Sequence, residues 1–396
     1  MKIAFLTAGG IAPCLSASIG GLIESYNSVL PDADLLGYLN GYKGLLTNQK
    51  ISFPESVKKK TNIFFQYGGS PIGNSRVKLT NVENCVQKGY IAEGQNPLEV
   101  AANQLINDKV DILHTIGGDD TNTMAAELLF YLKKNDYDLT VVGLPKTVDN
   151  DVYPISQTLG AFTAAEQGAL FFDNLANENT TSSRQLIIHE IMGRNCGWLT
   201  AQTAKEYRSM LDAKEFLPEV FIDRSRWDID AVYIPEIPID FDRECERLID
   251  RMNKKDCVNI FLSEGAGTET IVKELELEGE KIQRDAFGHV ALDDLNPGKW
   301  FAGQFTKKLS AEKTLVQKSG YFARSAAPNK KDLELIKLSC ELAVDSAKNR
   351  KSGVVGIDDN SNDMSLIDFK RIKGGKPFDA SQEWFLSLLT EIGQEN

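Results

Sequence analysis

The sequence predicts an α/β protein built on mainly parallel sheets. Apolar, β-branched runs of strand length alternate with stretches of helical spacing, and glycines or carboxylates follow several runs where strands would end. At 396 residues the chain is long enough for two domains of ordinary size.

The run Ile3–Thr7 enters a turn at Gly9-Gly10, and a helix of small residues is expected over Leu15–Tyr26. Asn96–Asn107 reads as a helix, with Pro97 in its first turn and Leu98, Ala101, Ala102 and Leu105 on one face. Val110–Ile116 predicts a strand and Thr121–Lys134 the helix after it. Met124, Ala125, Leu128, Leu129 and Leu132 form that helix's apolar stripe, and Lys133-Lys134 suit its C-terminal end. Leu139–Leu144, Gln185–Ile191 and Val258–Leu262 are further strands. Such alternation gives parallel sheets with right-handed crossovers.

Composition excludes some functions. A formal charge of −12 argues against nucleic acid or an anionic membrane as a partner, since both need basic surface. The six cysteines are scattered without ligand spacing, which predicts reduced thiols in a cytoplasmic protein. Three histidines leave little room for zinc or histidine acid–base chemistry. The N-terminal apolar run is too short for a signal peptide. No apolar stretch reaches the ~18 residues of a membrane span.

Two segments concentrate the chemistry: Gly117–Thr123 and Pro145–Asp151. They place Asp119, Asp120, Asp149, Asp151, Lys146 and a glycine pair at the carboxyl ends of two predicted parallel strands, the edge where open α/β sheets bind ligands. Paired glycines let a phosphate approach the backbone, carboxylates hold a metal or take a proton, and lysine neutralises phosphate charge. A helix cap needs one acid, and here two are adjacent. A surface turn explains Asn150 and Asp151, but not a lysine and acids directly after an apolar strand. Met192-Gly193-Arg194 ends another strand, where the arginine can reach an anion. Gly320–Arg324 sets Tyr321 and Arg324 three apart, as a sugar-phosphate clamp would. These residues point to phosphoryl transfer.

In chain order, Phe5–Pro13, Gly117–Thr123, Pro145–Asp151, Leu159–Ala164, Met192–Arg194, Ser263–Gly265 and Gly320–Arg324 resemble the phosphofructokinase family over most of the chain. The resemblance implies two Rossmann-like domains facing each other across an active-site cleft. Both would be discontinuous: 1–160 with about 322–372 for pyrophosphate and Mg²⁺, and 161–321 with about 373–396 for fructose 6-phosphate. It implies Asp149 as the general base, Asp151 as its supporting acid, Asp119 on Mg²⁺, and Gly10 and Arg76 at the donor phosphates. Thr147, Asp149, Met192, Gly193, Arg194, Glu264, Tyr321 and Arg324 would hold the sugar phosphate.

ATP-using members of that family carry glycine where this chain has Asp120 and Lys146. A carboxylate at 120 would crowd and repel a nucleotide's α-phosphate, while Lys146 would neutralise the end of a small inorganic donor. The resemblance therefore implies the pyrophosphate-dependent branch, with reversible Mg²⁺-dependent transfer to the sugar 1-hydroxyl. An ATP-dependent enzyme and a silent sugar-phosphate-binding subunit are the alternatives, and intact Asp119, Asp149 and Asp151 argue against the second. A NAD or diacylglycerol kinase would leave Pro145–Asp151 and Met192–Arg194 without a role. A homodimer or homotetramer is implied as well. Three features depart from the family pattern. Cys14 stands where relatives commonly have glycine, and 282–301 contains additional sequence. The arginines reaching over from a neighbouring subunit have only Arg184, out of register, and Lys313 as counterparts.

Overall fold

The computed structural model describes residues 1–277, 279 and 295–394. Strands β1 (Lys2–Thr7), β2 (Asp34–Tyr38), β3 (Lys50–Ser52), β4 (Ile112–Gly117) and β5 (Thr140–Pro145) come first. β6 (Gln185–Ile191), β7 (Ala231–Tyr233), β8 (Cys257–Ser263) and β9 (Lys313–Lys318) follow, then β10 (Gly353–Ile357) and β11 (Met364–Ile367). The chain divides into two units, Met1–Thr163 with Arg324–Lys376 and Ala164–Ala323 with Pro377–Asn396.

The first unit carries a seven-stranded sheet ordered β11-β10-β5-β4-β1-β2-β3. Its interior pairs are parallel, and β3 and β11 run antiparallel at the edges. β4 and β5 are buried at every residue, which explains their unbroken apolar runs: helices cover both faces of a parallel sheet. The chain moves from β1 to β2, then returns to β4 on the other side of β1. Strand order thus reverses between β1 and β4, the place where open α/β sheets hold ligands. The helix Asp119–Lys134 buries Met124, Ala125, Leu128 and Leu132, and begins two residues before its apolar stripe suggests because Gly118 is its N-cap.

The unit boundaries lie a few residues beyond the expected 160/161, 321/322 and 372/373. Asp332, buried on the helix Lys330–Lys348, accepts the backbone N–H groups of Gly160 (3.0 Å) and Thr163 (2.7 Å). Those bonds hold 161–163 to the first unit. At the other end, the Lys376 N–H donates to the Asp151 carbonyl at 2.9 Å and keeps 373–376 there.

The second unit has a four-stranded parallel sheet ordered β7-β8-β6-β9. Leu186, Ile188, Val258, Ile260 and Leu262 pack against Phe301 and Phe305 of the helix Pro297–Lys308. The outer edge of β7 is closed by a side chain. Gln394 Oε1 accepts the Val232 N–H at 2.7 Å, and its Nε2 donates to the Val232 carbonyl at 3.1 Å. Of the additional sequence at 282–301, residues 282–294 lie outside the described residues, and 297–301 begin the helix just named. All six cysteines are buried and none forms a disulfide. Among the described residues, no helix is long and apolar enough to cross a membrane.

Candidate active site

In the first unit, the carboxyl ends of β1, β4 and β5 bring the predicted donor residues together. Gly9 turns the chain at φ +88°, a conformation that favours glycine. Its N–H donates to the Ser75 carbonyl at 2.8 Å, and Asn74 Nδ2 donates back to its carbonyl at 2.6 Å. The loop bearing Arg76 is thereby fixed to the turn, and an Arg76 guanidinium nitrogen lies 3.8 Å from where a Cβ on Gly10 would stand.

Lys146 directly follows β5. Its N–H donates to the Gly117 carbonyl at 2.9 Å, and its Nζ donates to the Gly10 carbonyl at 2.5 Å. The residue is 3% exposed, and burial pushes its pKa down to about 8. A side chain at Gly9 would meet that ammonium at 3.1 Å. Gly9 thus makes room for the lysine.

Asp119 and Asp120 open their helix at its positive end. The N-cap Gly118 makes no side-chain cap bond. Asn122 Nδ2 instead ties the turn to the Gly117 and Gly118 carbonyls at 3.0 and 2.9 Å. Asp120 pairs with Lys78 at 2.6 Å on the exposed side. The Asp119 carboxylate lies against Gly374.

The loop after β5 is held by Asn150, which is buried and left-handed at φ +56°. Its Nδ2 donates to the Ser156 carbonyl at 2.9 Å, and its Oδ1 accepts the Thr158 N–H at 2.8 Å. A surface turn therefore does not describe Asn150; it is an internal staple that fixes Asp149 and Asp151 on either side. The Asp149 N–H donates to Thr147 Oγ1 at 3.1 Å. Burial raises the Asp151 pKa, a hydrogen bond from Thr147 opposes the rise, and the charge of Asp119 adds to it. Asp119 and Asp151 therefore lie within electrostatic reach of each other. Among the described residues, no three His, Cys, Asp or Glu cluster as a metal cage. One or two carboxylates are what Mg²⁺ uses when water and substrate phosphates complete its shell, so these residues fit it.

In the second unit, β6 and β8 end side by side. Gly193, at φ +129°, donates its N–H to Glu264 Oε1 at 3.3 Å, and Ser263 Oγ donates to the Gly193 carbonyl at 2.5 Å. The Glu264 N–H donates to the Ile191 carbonyl at 2.9 Å. Burial raises the Glu264 pKa, against the lowering effects of the Gly193 N–H and Arg194. A Cβ on Gly320 would stand 3.1 Å from Met192 Cγ, so the Gly320–Arg324 helix starts against Met192. Arg194 is exposed, and Tyr321 is 79% exposed. Tyr321 and Arg324, read as one clamp, stand on this same short helix.

Arg184 and Lys313 lie at the opposite, amino ends of β6 and β9, with partners in their own chain. Arg184 donates to the carbonyls of Leu309 and Ser310 and to Asn253, and Lys313 pairs with Glu178 at 2.9 Å. Cys14 has φ −134°, which demands no glycine, and its thiol points to the Leu159 carbonyl at 3.4 Å. Sequence reasoning missed Lys78, Gly374 and Glu190. Glu190, near the end of β6, pairs with Lys318 at 2.7 Å and accepts the Gly298 N–H at 3.0 Å. A glycine pair flanked by lysines, Gly374-Gly375, was the available signal for one of the three.

This arrangement has counterparts among known proteins. A protein of Methylomonas methanica named pyrophosphate–fructose 6-phosphate 1-phosphotransferase is 57% identical over 99% of this chain and 96% of its own length. One of the same name from Mastigamoeba balamuthi is 53% identical over 99% and 96%. The crystal structure of a pyrophosphate-dependent phosphofructokinase from Marinobacter aquaeolei, 18% identical, superposes with a TM-score of 0.71 over 99% of this chain and 91% of that one, a likeness of fold. The family model described as Phosphofructokinase matches residues 2–345. By that match and by relatives of more than half identity along almost its whole length, the chain belongs to the phosphofructokinase family.

Proposed function

We propose that this chain transfers a phosphoryl group reversibly from pyrophosphate to the 1-hydroxyl of fructose 6-phosphate, giving fructose 1,6-bisphosphate and phosphate. The observation that carries the reading is Lys146, a buried ammonium held on the Gly9-Gly10 turn at the edge where donor phosphates would lie. The names of the relatives more than half identical to it support the same donor and acceptor.

In this reading Asp149 takes the proton of the 1-hydroxyl as that oxygen attacks the terminal phosphorus. The new P–O bond forms as the anhydride P–O bond breaks, and phosphate leaves with the electron pair. Lys146 and Arg76 balance the charge that develops on the leaving group, and Asp151 supports Asp149. Mg²⁺, held by Asp119 with Asp151 nearby, would neutralise the donor's oxygens when bound. Met192, Gly193, Arg194, Glu264, Tyr321, Arg324 and Thr147 hold the sugar phosphate. The charge of Asp120 is partly balanced by Lys78, and its bulk adds to what charge is left in standing against a longer nucleotide donor. In this reading the enzyme works in the cytoplasm as a homodimer or homotetramer, as the family resemblance implies.

A coupled assay on fructose 6-phosphate with pyrophosphate or ATP tests the reading. Turnover with pyrophosphate and little with ATP is expected. Preference for ATP would return the ATP-dependent alternative, and turnover with neither donor the silent subunit.

A further inference from the structure

The loop Lys373-Gly374-Gly375-Lys376 lies past residue 345, where the match to the family model ends, yet it is bound to the donor edge of the first unit. Lys373 exchanges two backbone hydrogen bonds with Tyr153, at 2.8 and 3.0 Å, and the Lys376 N–H donates to the Asp151 carbonyl at 2.9 Å. Lys376 Nζ anchors the loop again, on the Ile155 carbonyl at 2.9 Å and on Asp359 at 2.8 Å. The loop is thus strapped along the segment that carries Asp151.

Gly374 also faces Asp119. A Cβ built on it would overlap the Asp119 carboxylate, so the carboxylate occupies the volume that any other residue at 374 would fill. The two glycines serve different ends. Gly375 sits at φ +73° with nothing within 4 Å of its Cβ position, so it serves the turn. Gly374 is not among the residues with positive φ, and what it provides is space.

We infer that Gly374 is a positioning residue for the metal-holding carboxylate, setting where Asp119 stands by leaving room for it. The inference rests on the reading of Asp119 as the Mg²⁺ ligand. A methyl group at 374 asks little of the fold, because the Asp119 carboxylate can rotate away and its Cβ, 3.1 Å off, has to give only by a few tenths of an ångström. It is costly for the site, because Mg²⁺ demands near-ideal octahedral geometry and tolerates little displacement of a ligand. Groups that orient a ligand typically change metal affinity about 10- to 100-fold when altered.

The test measures binding of Mn²⁺–pyrophosphate by water-proton relaxation, without sugar phosphate and so without turnover. Gly374→Ala is expected to weaken binding about 10-fold or more, with fructose 6-phosphate KM and thermal midpoint close to wild type. Gly375→Ala strains only the turn, leaves the strap bonds of Lys373 and Lys376 in place and does not touch Asp119, so it is expected to bind Mn²⁺–pyrophosphate nearly as wild type does. If Gly374→Ala does not fold, Lys376→Ala, which loosens the strap without adding volume, should weaken the same binding. Wild-type binding by a folded Gly374→Ala overturns the inference, as does wild-type binding by Lys376→Ala where Gly374→Ala does not fold. Asp119→Asn separates the two readings. If it binds as wild type, the metal assignment itself fails; if it loses binding while Gly374→Ala keeps it, only the role of Gly374 fails.

Discussion

At the donor edge of the first unit the central cation, Lys146, is 3% exposed and bonded to a backbone carbonyl, whereas at the carboxyl edge of the second unit Arg194 is exposed and Tyr321 is 79% exposed. Glycine plays different parts as well. Gly9 clears space for an ammonium, while Gly193 turns a strand end so that its N–H reaches Glu264. In the proposed reading the contrast follows from what each edge has to do. Charge develops on the donor during transfer, and fixed, desolvated groups stabilise developing charge most because they need no reorganisation. A sugar phosphate has only to be held, which exposed and adaptable side chains can manage. Fixed charge carries a stability cost, because burying an ammonium is unfavourable.

The largest effect should come from the residue read as the general base. Asp149→Ala is expected to lower kcat by about 10²- to 10⁴-fold, the span of general acid–base catalysis. Fructose 6-phosphate KM should stay within about threefold, since the other seven groups read as holding the sugar remain. Normal turnover would remove Asp149 as the base, and an equal rise in KM would make it a binding group.

Lys146→Met breaks the donor edge alone. Its kcat/KM for pyrophosphate is expected to fall about 10²- to 10³-fold, with sugar-phosphate KM unmoved. The wild-type lysine is charged below its pKa of about 8, so kcat/KM for pyrophosphate should decline as pH rises through 8. The methionine variant should lack that limb. Stability should move the other way. The folded pKa lies below the ordinary 10.5, so the unfolded chain binds more protons between these values and the lysine's cost shrinks as pH rises across that window. Lys146→Met should therefore melt higher than wild type at pH 7, with the advantage fading toward pH 10. A lower melting point at pH 7 would show that the bond to Gly10 outweighs the burial. The doublet Asp120→Gly with Lys146→Gly should shift donor preference toward ATP in the same coupled assay.

The two edges were not equally legible. β1, β4, β5, β6 and β8 stand close to where apolar runs placed them, because strands buried on both faces have no polar alternation to blur the signal. Asp119, Lys146, Asp149 and Asp151 were found because each lies within a few residues of a strand end. The short edge strands β3, β7 and β11 left little pattern to read. Lys78, Gly374 and Asp332 were invisible for another reason: their meaning depends on contacts with residues far along the chain. The same limit misled the reading of Asn150. As a turn former it suggested a surface loop, and only its bonds to Ser156 and Thr158 show it to be internal.

The smallest effect sharpens the contrast from the second unit. Glutamine at 264 can still accept the Gly193 N–H, so Glu264→Gln should keep the strand ends in place and remove only charge. The expected result is a rise in fructose 6-phosphate KM of about tenfold, the worth of a hydrogen bond to a charged group, with pyrophosphate KM unchanged. Burial has already raised the Glu264 pKa, so wild-type sugar-phosphate KM should rise as pH falls through that elevated value, while the glutamine variant stays flat. Parallel changes in both substrates' KM would mean that Glu264 supports the fold rather than the sugar. A pH-independent wild type would mean that Glu264 reaches the sugar without its charge.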